Sequence, residues 1–386
     1  MIPPKDCSGC GACVHICPVR AIEFVKDREG FYYPEIDCEK CVNCGACEKK
    51  CPILCPQGPK AVHTAAYAAQ NRNEQARHCS SSGGVFSLLA EQVIRLGGIV
   101  IGCAMTKDCY GAEHQVITNE QGLSEIRGSK YLQSRADQVY PAVKEALQNG
   151  KRVLFSGTPC QVAGLHAYLA NAKTENLITI DNICHGVPSP TVWERYVKHW
   201  ESVKGSKVVS VQFRNKEKGW KTYSLVLSFE NGETYKSICT ADLYCRGFVG
   251  DYFLRRSCYD CHAKGEYHGA DITLGDLWGI RHICKPMDDD GGTSLVLLNT
   301  AKGEALFHTI NREMECQQVD FDEAIRHNPS YYQSSSQRVN RHCFMKHIQK
   351  KPIINLLDFY CGTRLTSRIK RKIMKFMATA CRGDHL

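Results

Sequence analysis

The chain has 386 residues, of which 43% are hydrophobic and 23% are charged, and its formal net charge is +9. These values fit a globular protein of two or three domains and exclude wholesale disorder, while the modest basic excess identifies no nucleic-acid partner. The sequence shows neither an apolar leader at its start nor a run of about eighteen apolar residues. We therefore expect a cytoplasmic protein whose 24 cysteines stay reduced and serve chiefly to bind metal.

Two copies of one cysteine motif, C-x2-C-x2-C-x3-C followed by proline, occupy the N-terminal segment. The first copy consists of Cys7, Cys10, Cys13 and Cys17, and the second of Cys41, Cys44, Cys47 and Cys51. This is the spacing of bacterial ferredoxins with two 4Fe-4S clusters, in which the fourth cysteine of each copy ligates the other cluster. We therefore predict one cluster on Cys7, Cys10, Cys13 and Cys51, and a second on Cys41, Cys44, Cys47 and Cys17.

Zinc is the alternative occupant of such a segment, because zinc knuckles also use C-x2-C pairs. Two four-cysteine runs that each end in Cys-Pro favour iron–sulfur clusters over zinc. Cys38 adds a further C-x2 step before Cys41, so a slipped register for the second cluster stays open. Residues 1–58 resemble a bacterial two-cluster ferredoxin, which implies an α+β ferredoxin-like iron–sulfur module.

The next part of the chain alternates between the patterns of strands and helices. Predicted strands cover residues 62–69, 98–105, 152–155 and 177–181, and predicted helices cover 83–94, 136–149 and 159 to about 170. Such alternation predicts an α/β region built on a sheet. In an open α/β sheet, the loops that follow the strands share one edge, where ligands bind.

A small antiparallel insert is predicted between residues 206 and 239. Segments 208–213, 223–229 and 234–238 have strand patterns, and Asn231-Gly232 is a strong hairpin signal between the last two. Beyond about residue 329 the periodicity weakens.

Cys160 lies in the segment Ser-Gly-Thr-Pro-Cys-Gln at 156–161, where a predicted strand gives way to a helix. Thr158 is a plausible N-cap and Pro159 suits the first helical position, so Cys160 falls in the first turn. Amide dipoles there stabilise a thiolate, which would prime the cysteine as a nucleophile or metal ligand. The alternative is a small buried residue under a turn.

Four cysteines outside the N-terminal module are candidates for a third 4Fe-4S cluster. Cys160 and Cys184 each follow a predicted strand, so they share the ligand edge of the sheet, and Cys258 and Cys261 form a separate C-x2-C pair. A lone pair is weak evidence, but the four together supply enough soft ligands for one cluster.

Several motifs in fixed order resemble one known family. They are Ser-Ser-Ser-Gly-Gly at 80–84, Arg-Gly-Ser-Lys-Tyr-Leu-Gln-Ser at 127–134, Ser-Gly-Thr-Pro-Cys-Gln at 156–161, the pair Cys258 and Cys261, and Ala-Asp-Ile-Thr-Leu-Gly-Asp-Leu-Trp-Gly at 270–279. The chain resembles, over residues 1 to about 330, the beta subunits of coenzyme F-420-reducing hydrogenases and dehydrogenases. That family also includes 7-hydroxymethyl chlorophyll a reductase. The resemblance implies a flavoprotein with FAD beside iron–sulfur centres.

The resemblance also implies which residues contact the flavin. The candidates for the FAD phosphate loop are Ser81, Ser82, Gly83 and Gly84, and those for contact with flavin or substrate are Ser129, Lys130 and Tyr131. Small residues before a helix let amides face an anion, although a serine run that merely caps the helix has the same composition. A solvated loop is the alternative for residues 129–131.

The candidates for a catalytic role are Lys130, Asp276 and His185. Lys130 would stabilise a reduced flavin anion, and Asp276 would orient the substrate or a ligand loop, with a simple turn former as its alternative. His185 and His262 each neighbour a predicted ligand cysteine, and either would donate to cluster sulfur or transfer a proton. A structural role is the alternative for both histidines.

These predictions divide the chain into four parts. They are a ferredoxin domain at 1–58, a flavin-binding domain at 62–150, a catalytic domain with the third cluster at 151–330, and an extension at 331–386 that carries a basic helix. The basic helix would meet an anionic membrane surface or an acidic partner, unless it is simply solvated.

We expect an FAD- and 4Fe-4S-dependent oxidoreductase that works with an electron-donor or acceptor protein and a small-molecule substrate. The substrate is coenzyme F-420 or another organic acceptor. The alternative is a non-catalytic ferredoxin-like electron-transfer protein that docks to a partner enzyme.

Overall fold

A computed structural model describes residues 2–56, 65–265 and 269–362. In chain order its strands are β1 (Ile22–Lys26), β2 (Tyr32–Ile36), β3 (Ala65–Asn71), β4 (Ile99–Met105), β5 (Ala112–Ile117), β6 (Ser134–Arg135), β7 (Val153–Gly157), β8 (Leu177–Asn182), β9 (Val208–Asn215), β10 (Ser224–Phe229), β11 (Thr234–Ile238), β12 (Ile272–Asp276), β13 (Ser294–Leu298) and β14 (Met314–Val319).

The α-helices lie between these strands and after them. They are α1 (Ala12–Ile16), α2 (Ala46–Lys49), α3 (Glu74–His78), α4 (Val85–Arg95), α5 (Leu123–Ile126), α6 (Tyr140–Gln148), α7 (Pro159–Leu169), α8 (Pro190–Lys204), α9 (Leu243–Val249), α10 (Ile280–Ile283), α11 (Ala301–Thr309), α12 (Phe321–Arg326), α13 (Arg341–His347) and α14 (Ile353–Cys361). None of these helices is both long and apolar enough to cross a membrane.

The two cysteine motifs have the same backbone shape. Gly11 and Gly45 both have a positive φ and immediately precede the short helices α1 and α2. Gly9 and Asn43, at the matching position between the first two cysteines of each motif, also have positive φ values, 73° and 53°. Glycine and asparagine are the residues that adopt this conformation most readily, so the sequence repeat produces a repeated loop.

Among the described residues, nine strands form one mixed sheet in the order β14-β3-β13-β12-β8-β7-β4-β5-β6. The central strands β12, β8, β7 and β4 are parallel to their neighbours in this group. Strands β5, β13, β3 and β14 pair antiparallel on either side. The large mixed sheet with helices confirms the predicted α/β architecture.

Most elements predicted from the sequence are present with small shifts of boundary. Thr158 caps α7 in a capping box with Gln161, and Pro159 occupies the first turn, as predicted. Strands β9, β10 and β11 form the predicted antiparallel insert, and Asn231-Gly232 lies in the connection between β10 and β11.

The region beyond residue 329 is more ordered than its weak periodicity indicated. Helices α13 and α14 bury Phe344, Leu357 and Tyr360 in the core that also contains the insert and α8. The weak periodicity is explained by the shortness of these helices, since Arg341–His347 provides only two turns. The basic segment predicted as a helix, and the start of the strand predicted at 62–69, lie outside the described residues.

Candidate functional site

Three cavities contain most of the residues singled out by the sequence. The ferredoxin cavity, of about 30 Å³, is lined by five cysteines of the N-terminal module. The inner cysteine cavity, of about 40 Å³, is lined by the four cysteines of the predicted third cluster. The large cavity, of about 490 Å³, lies at the carboxyl edge of the sheet.

The ferredoxin cavity brings together Cys7, Cys10, Cys13 and Cys51, which are the four ligands predicted for one cluster, and also Cys47. Burial, and to a smaller extent the neighbouring Cys7, Cys51 and Cys47, raise the pKa of the Cys13 thiol to about 12. Thiolates crowded in this way need a cationic centre to share, which iron provides.

The remaining N-terminal candidates, Cys17, Cys41 and Cys44, do not line this cavity. Cys17 accepts a hydrogen bond on Sγ from the amide of Ala21 at 3.2 Å, an arrangement found around cluster ligands. Cys44 is exposed to solvent. The second ligand set therefore stays a prediction.

No group of three or more His, Cys, Asp or Glu side chains converges to hold a metal ion within residues 2–56, 65–265 and 269–362. A 4Fe-4S cluster distributes its four thiolates over four irons, whereas a tetrahedral zinc site gathers its ligands around one ion.

The inner cysteine cavity is assembled from three separate parts of the chain. Cys160 is the second residue of α7, Cys184 follows β8, and Cys258 and Cys261 belong to a 3-10 turn at 256–260 and the residue after it. All four line one cavity, as the sequence predicts for a third cluster. The amide N–H of Val187 donates to Sγ of Cys258 at 3.4 Å, which fits a cluster ligand.

Cys160 lacks the environment of a reactive thiol. Burial and the neighbouring Cys261 raise its pKa, the hydrogen bond with Thr158 at 3.2 Å lowers it, and the net result is a pKa of about 11. A thiol acts as a nucleophile or as a metal ligand only when deprotonated, so this pKa does not separate the two roles, whereas the cavity shared with three other cysteines favours the ligand role.

The large cavity lies where the parallel strands end. Its walls include residues at the carboxyl ends of β7, β8 and β12, together with Ser80–Ser82 and Gly84 at the start of α4. Its volume is within the usual range for cofactor sites, and its place matches the ligand edge expected for an open α/β sheet.

Two of the predicted flavin motifs meet in this cavity. Ser81 and Ser129 are hydrogen-bonded through their hydroxyl groups at 2.9 Å, and the amide of Ser129 donates to Oγ of Ser81 at 2.7 Å. Ser82 donates to the carbonyl of Thr293. These contacts leave a loop of small residues at the start of α4, as the phosphate-loop prediction requires.

Gly83 serves packing more than anion binding. Its amide donates to Oγ of Ser294 at 3.0 Å, and a Cβ at this position would lie 2.2 Å from the carbonyl oxygen of Ala69. The glycine therefore allows the loop to lie against β3. Gly84, with φ of 83°, turns the chain into α4.

Lys130 lines the large cavity, but its amine is directed to the backbone. Nζ donates to the carbonyl oxygens of Glu125 at 2.9 Å and Arg127 at 2.8 Å. Burial lowers the pKa of Lys130 to about 8, partly offset by Cys103 and Glu125. The lysine thus anchors the loop after α5 and carries a charge that is readily lost.

Asp276 and Tyr131 are connected by Arg214, which belongs to none of the motifs recognised in the sequence. Arg214 contacts both carboxylate oxygens of Asp276, at 2.8 and 3.2 Å, and also donates to the hydroxyl of Tyr131 at 3.2 Å. The indole N–H of Trp220 donates to the same carboxylate at 2.9 Å. Asp276 is therefore an anchor for Arg214. Nε of Arg214 is buried and has no hydrogen-bond partner among the residues that the structure describes.

The two predicted histidines lie beside the inner cysteine cavity. His185 places Nε2 2.8 Å from Oδ1 of Asp251, and its ring meets Phe248 edge-on. His262 lines the inner cavity only.

The cavities share walls. Ser8 and Ile53 line both the ferredoxin cavity and the inner cysteine cavity. Residues 184–187 line both the inner cysteine cavity and the large cavity. The three cavities therefore form a continuous series from the N-terminal module to the carboxyl edge of the sheet.

Three models of known families match the chain. Two of them describe the beta subunit of coenzyme F-420 hydrogenase/dehydrogenase: the model of its amino-terminal part matches residues 66–139, and the model of its carboxy-terminal part matches residues 150–324. A 4Fe-4S dicluster domain matches residues 6–55.

A curated relative and a solved structure are also similar. The F component of the F(420)H(2) dehydrogenase of Methanosarcina mazei is 23% identical over 320 residues, which cover 80% of this chain and 83% of that protein. A chain of the F-420-reducing NiFe hydrogenase complex from Methanosarcina barkeri is 16% identical, with a TM-score of 0.48, over 71% of this chain and 92% of that one.

Proposed function

Because the chain belongs to the family of coenzyme F-420 hydrogenase/dehydrogenase beta subunits and carries a 4Fe-4S ferredoxin domain, we propose that it is an FAD-dependent iron–sulfur oxidoreductase. In this role it exchanges electrons with a partner protein and a hydride with an organic substrate. The substrate is coenzyme F-420 or a related two-electron acceptor.

The series of shared walls supports this proposal most directly. Electron transfer between centres requires that they lie close together, and each pair of adjacent cavities has wall residues in common. Ser8 and Ile53 line both cavities of the first pair, and residues 184–187 line both cavities of the second. A free ferredoxin would need neither the inner cysteines nor the large cavity.

The cysteines define what each of the first two cavities would hold. Cys7, Cys10, Cys13 and Cys51 would ligate one 4Fe-4S cluster in the ferredoxin cavity, and Cys17, Cys41, Cys44 and Cys47 a second one at the exposed end of the module. Cys160, Cys184, Cys258 and Cys261 would ligate a third. The amides of Ala21 and Val187 already donate to sulfur, as the backbone does around such clusters.

The large cavity would hold FAD, which supplies exchange between one-electron carriers and two-electron hydride chemistry. Ser81, Ser82 and Gly84 would present hydroxyl groups and the start of α4 to its phosphates. Lys130 and Arg214 contribute positive charge to the walls, which suits an anionic cofactor. The partnerless Nε of Arg214 is a donor available to a ligand.

The catalytic roles follow from these positions. Lys130, with its pKa near 8, would hold a positive charge beside the reacting ring at neutral pH. Asp276 would act by fixing Arg214 and Tyr131, so it is a positioning residue. His185 would lie between the last cluster and the cofactor, in the wall common to their cavities.

The stoichiometry of iron and flavin in protein purified without oxygen tests the proposal. We expect about twelve iron atoms and one FAD per chain, because three clusters of four irons feed one flavin. About eight iron atoms and no flavin, even after reconstitution, would contradict the proposal and leave a ferredoxin-like electron carrier that serves a partner enzyme.

A further inference from the structure

Arg255 is a completely buried cation at the junction between the N-terminal module and the rest of the protein. Its guanidinium donates from Nε to the carbonyl of Cys7 at 2.8 Å, from Nη1 to Oε1 of Gln133 at 3.1 Å, and from Nη2 to the carbonyl of Tyr32 at 2.9 Å. The ring of Tyr33 lies 4.1 Å from its central carbon. All of these neighbours are neutral groups.

No carboxylate forms an ion pair with Arg255 in the part of the chain that the structure describes. Glu29, a buried carboxylate of the same module, is paired with Arg341 instead. A buried charge without a counter-charge is costly, and burial in proteins normally requires a pair or a bound ion. Burial raises the pKa of the Asp27 carboxyl more than Arg255 lowers it, and the described residues place no carboxylate in contact with the guanidinium.

The sulfur of Cys7 is in the position to provide a counter-charge. Nη2 of Arg255 lies 3.7 Å from Sγ of Cys7, within hydrogen-bonding distance for sulfur. A Cβ at Gly9 would lie 2.9 Å from Cζ of Arg255, so only glycine lets the cysteine loop approach the guanidinium this closely.

The backbone of Arg255 is hydrogen-bonded to residues that line the inner cysteine cavity. Its amide donates to the carbonyl of Val187, in the wall shared with the large cavity, and its carbonyl accepts from the amide of Cys258. The position of Arg255 is thus fixed from both sides, by the ferredoxin loop and by the turn that carries Cys258.

The second cysteine motif lacks this arrangement. Asn43 occupies the place that Gly9 has in the first motif, and it is exposed to solvent together with Cys44. The two repeats therefore have the same backbone shape but different electrostatic surroundings, one facing a buried cation and the other facing water.

We propose that Arg255 is a positioning residue that raises the reduction potential of the 4Fe-4S cluster ligated by Cys7. Electrons would then favour this cluster over the exposed cluster of the second cysteine motif. This inference rests on the function proposed above. Reduction adds one electron and one negative charge to the cluster, and the guanidinium stabilises that charge while keeping all its protons. Burial strengthens the effect because the low dielectric screens it little.

Gln133→Glu is the sharpest test, because it places a carboxylate beside the guanidinium while preserving side-chain shape. The potential of each cluster is measured by redox titration with detection by electron paramagnetic resonance. We expect the cluster ligated by Cys7 to become harder to reduce, with its midpoint shifted to more negative potential, and the cluster of the exposed motif to stay unchanged. Gln133→Met is the matched control, because it removes the same hydrogen bond without adding charge, and it should shift the midpoint much less.

Arg255→Met provides a second measurement and should shift the same midpoint in the same direction. Arg256→Gln, at the half-exposed neighbour, should leave it unchanged. Equal midpoints in the wild type and Gln133→Glu, at full iron content, would overturn the role of Arg255. If Arg255→Met fails to fold, the comparison of the two Gln133 variants still decides.

Failure of the underlying cluster assignment is recognised separately. Cys7→Ser should change the iron content or the signal of one cluster. If it changes neither, Cys7 is no ligand, and the proposed cluster arrangement fails independently of Arg255.

Discussion

Asp276 shows how a residue's neighbours decide its role. A carboxylate at the end of a strand on the ligand edge is a candidate for a catalytic role, and the sequence motif predicts such a role for Asp276. In the structure it accepts from Arg214 and Trp220, which leaves it anchoring a buried cation. The sequence did not indicate Arg214, because a single arginine in a strand carries no motif, and its pairing joins residues far apart in the chain.

The cysteine ligands were easier to predict from the sequence than the basic residues. The fixed spacing of the cysteines predicts the N-terminal ligand sets. The rule that loops after parallel strands share one edge of the sheet predicts that Cys160 and Cys184 lie together, and both line the inner cysteine cavity. Arg255 and Lys216 are buried as well, but each donates hydrogen bonds to backbone carbonyls. Such contacts leave no pattern in the sequence.

Cys160→Ser should lower the iron content by about four atoms per chain, because one ligand of the third cluster is lost. Iron analysis of protein purified without oxygen measures the effect, and the N-terminal clusters should remain. Cys316→Ser, which changes a half-buried cysteine of β14 outside all three cavities, is the control. Unchanged iron in Cys160→Ser would remove Cys160 from the ligand set.

Lys130 should make stability depend on pH in the alkaline range. Its pKa is lowered from 10.5 to about 8 in the folded protein, so between these values the unfolded chain binds more protons. The free energy of unfolding contributed by Lys130 therefore rises from pH 8 to pH 10.5. Lys130→Met should remove part of this rise, as measured by urea unfolding at pH 8 and pH 10.

The control for this prediction is Lys151→Met, at an exposed lysine before β7. It should leave the difference between the two pH values as in the wild type. An unchanged pH dependence in Lys130→Met would mean that the lysine is not desolvated in the folded protein.

At the scale of elements, the antiparallel insert helps to form the large cavity. Strand β9 supplies Arg214 to the wall, and Lys216, just after this strand, donates to the carbonyls of Arg77, Ser82 and Gly291. The insert therefore stabilises the loop of small residues that precedes α4. The sequence predicted its strands and its hairpin but gave no sign of this contact.

Lys216→Met should loosen that loop. Loss of the amine leaves three carbonyl oxygens without their donor, which lowers the local stability by about 1–3 kcal/mol. The amides of residues 77–84 should therefore exchange with deuterium faster. FAD occupancy should fall in parallel. Lys218→Met, at an exposed position two residues away, is the matched control and should behave as the wild type. Equal exchange rates in the two variants would show that the amine of Lys216 does not stabilise this loop.

The sheet was predicted well where its strands are parallel and buried. Strands β4 and β7 contain short apolar runs, and in β8 a single threonine interrupts the apolar residues, so all three strands are recognisable from their length and composition. Strand β14, with the sequence Met-Glu-Cys-Gln-Gln-Val, is largely polar because it lies at the edge. Its pairing with β3 depends on residues far away in the chain, so no local pattern could indicate it.

At the scale of the whole molecule, the N-terminal module is built into the protein. The hydroxyl of Tyr140 donates to the carbonyl of Cys10, and a Cβ at Gly164 of α7 would lie 2.6 Å from Cβ of Cys10. The buried pair of Glu29 and Arg341 connects the module to the helices near the C-terminus. The resemblance to a free ferredoxin predicted the module's fold but not this attachment.

Glu29→Gln should lower the free energy of unfolding by about 3 kcal/mol, because it leaves the buried Arg341 without its counter-charge. Denaturant unfolding of the intact chain measures the change. Glu194→Gln, which breaks a pair near the surface with Lys198, is the control and should cost about 1 kcal/mol or less. Similar losses in both variants would mean that the Glu29 pair adds nothing to the attachment of the module.

The strand order also has a consequence for synthesis on the ribosome. Strand β3 has β13 and β14 as its two neighbours, so one of its edges lacks its partner until residue 298 has been translated and the other until residue 319. The proposed ligands Cys258 and Cys261 likewise emerge long after Cys160 and Cys184, whereas the proposed N-terminal ligands are all available by residue 51. Domains generally fold in the order in which they emerge. The clusters proposed for the N-terminal module could therefore be loaded on a nascent chain, and the proposed third cluster only on one that is nearly finished.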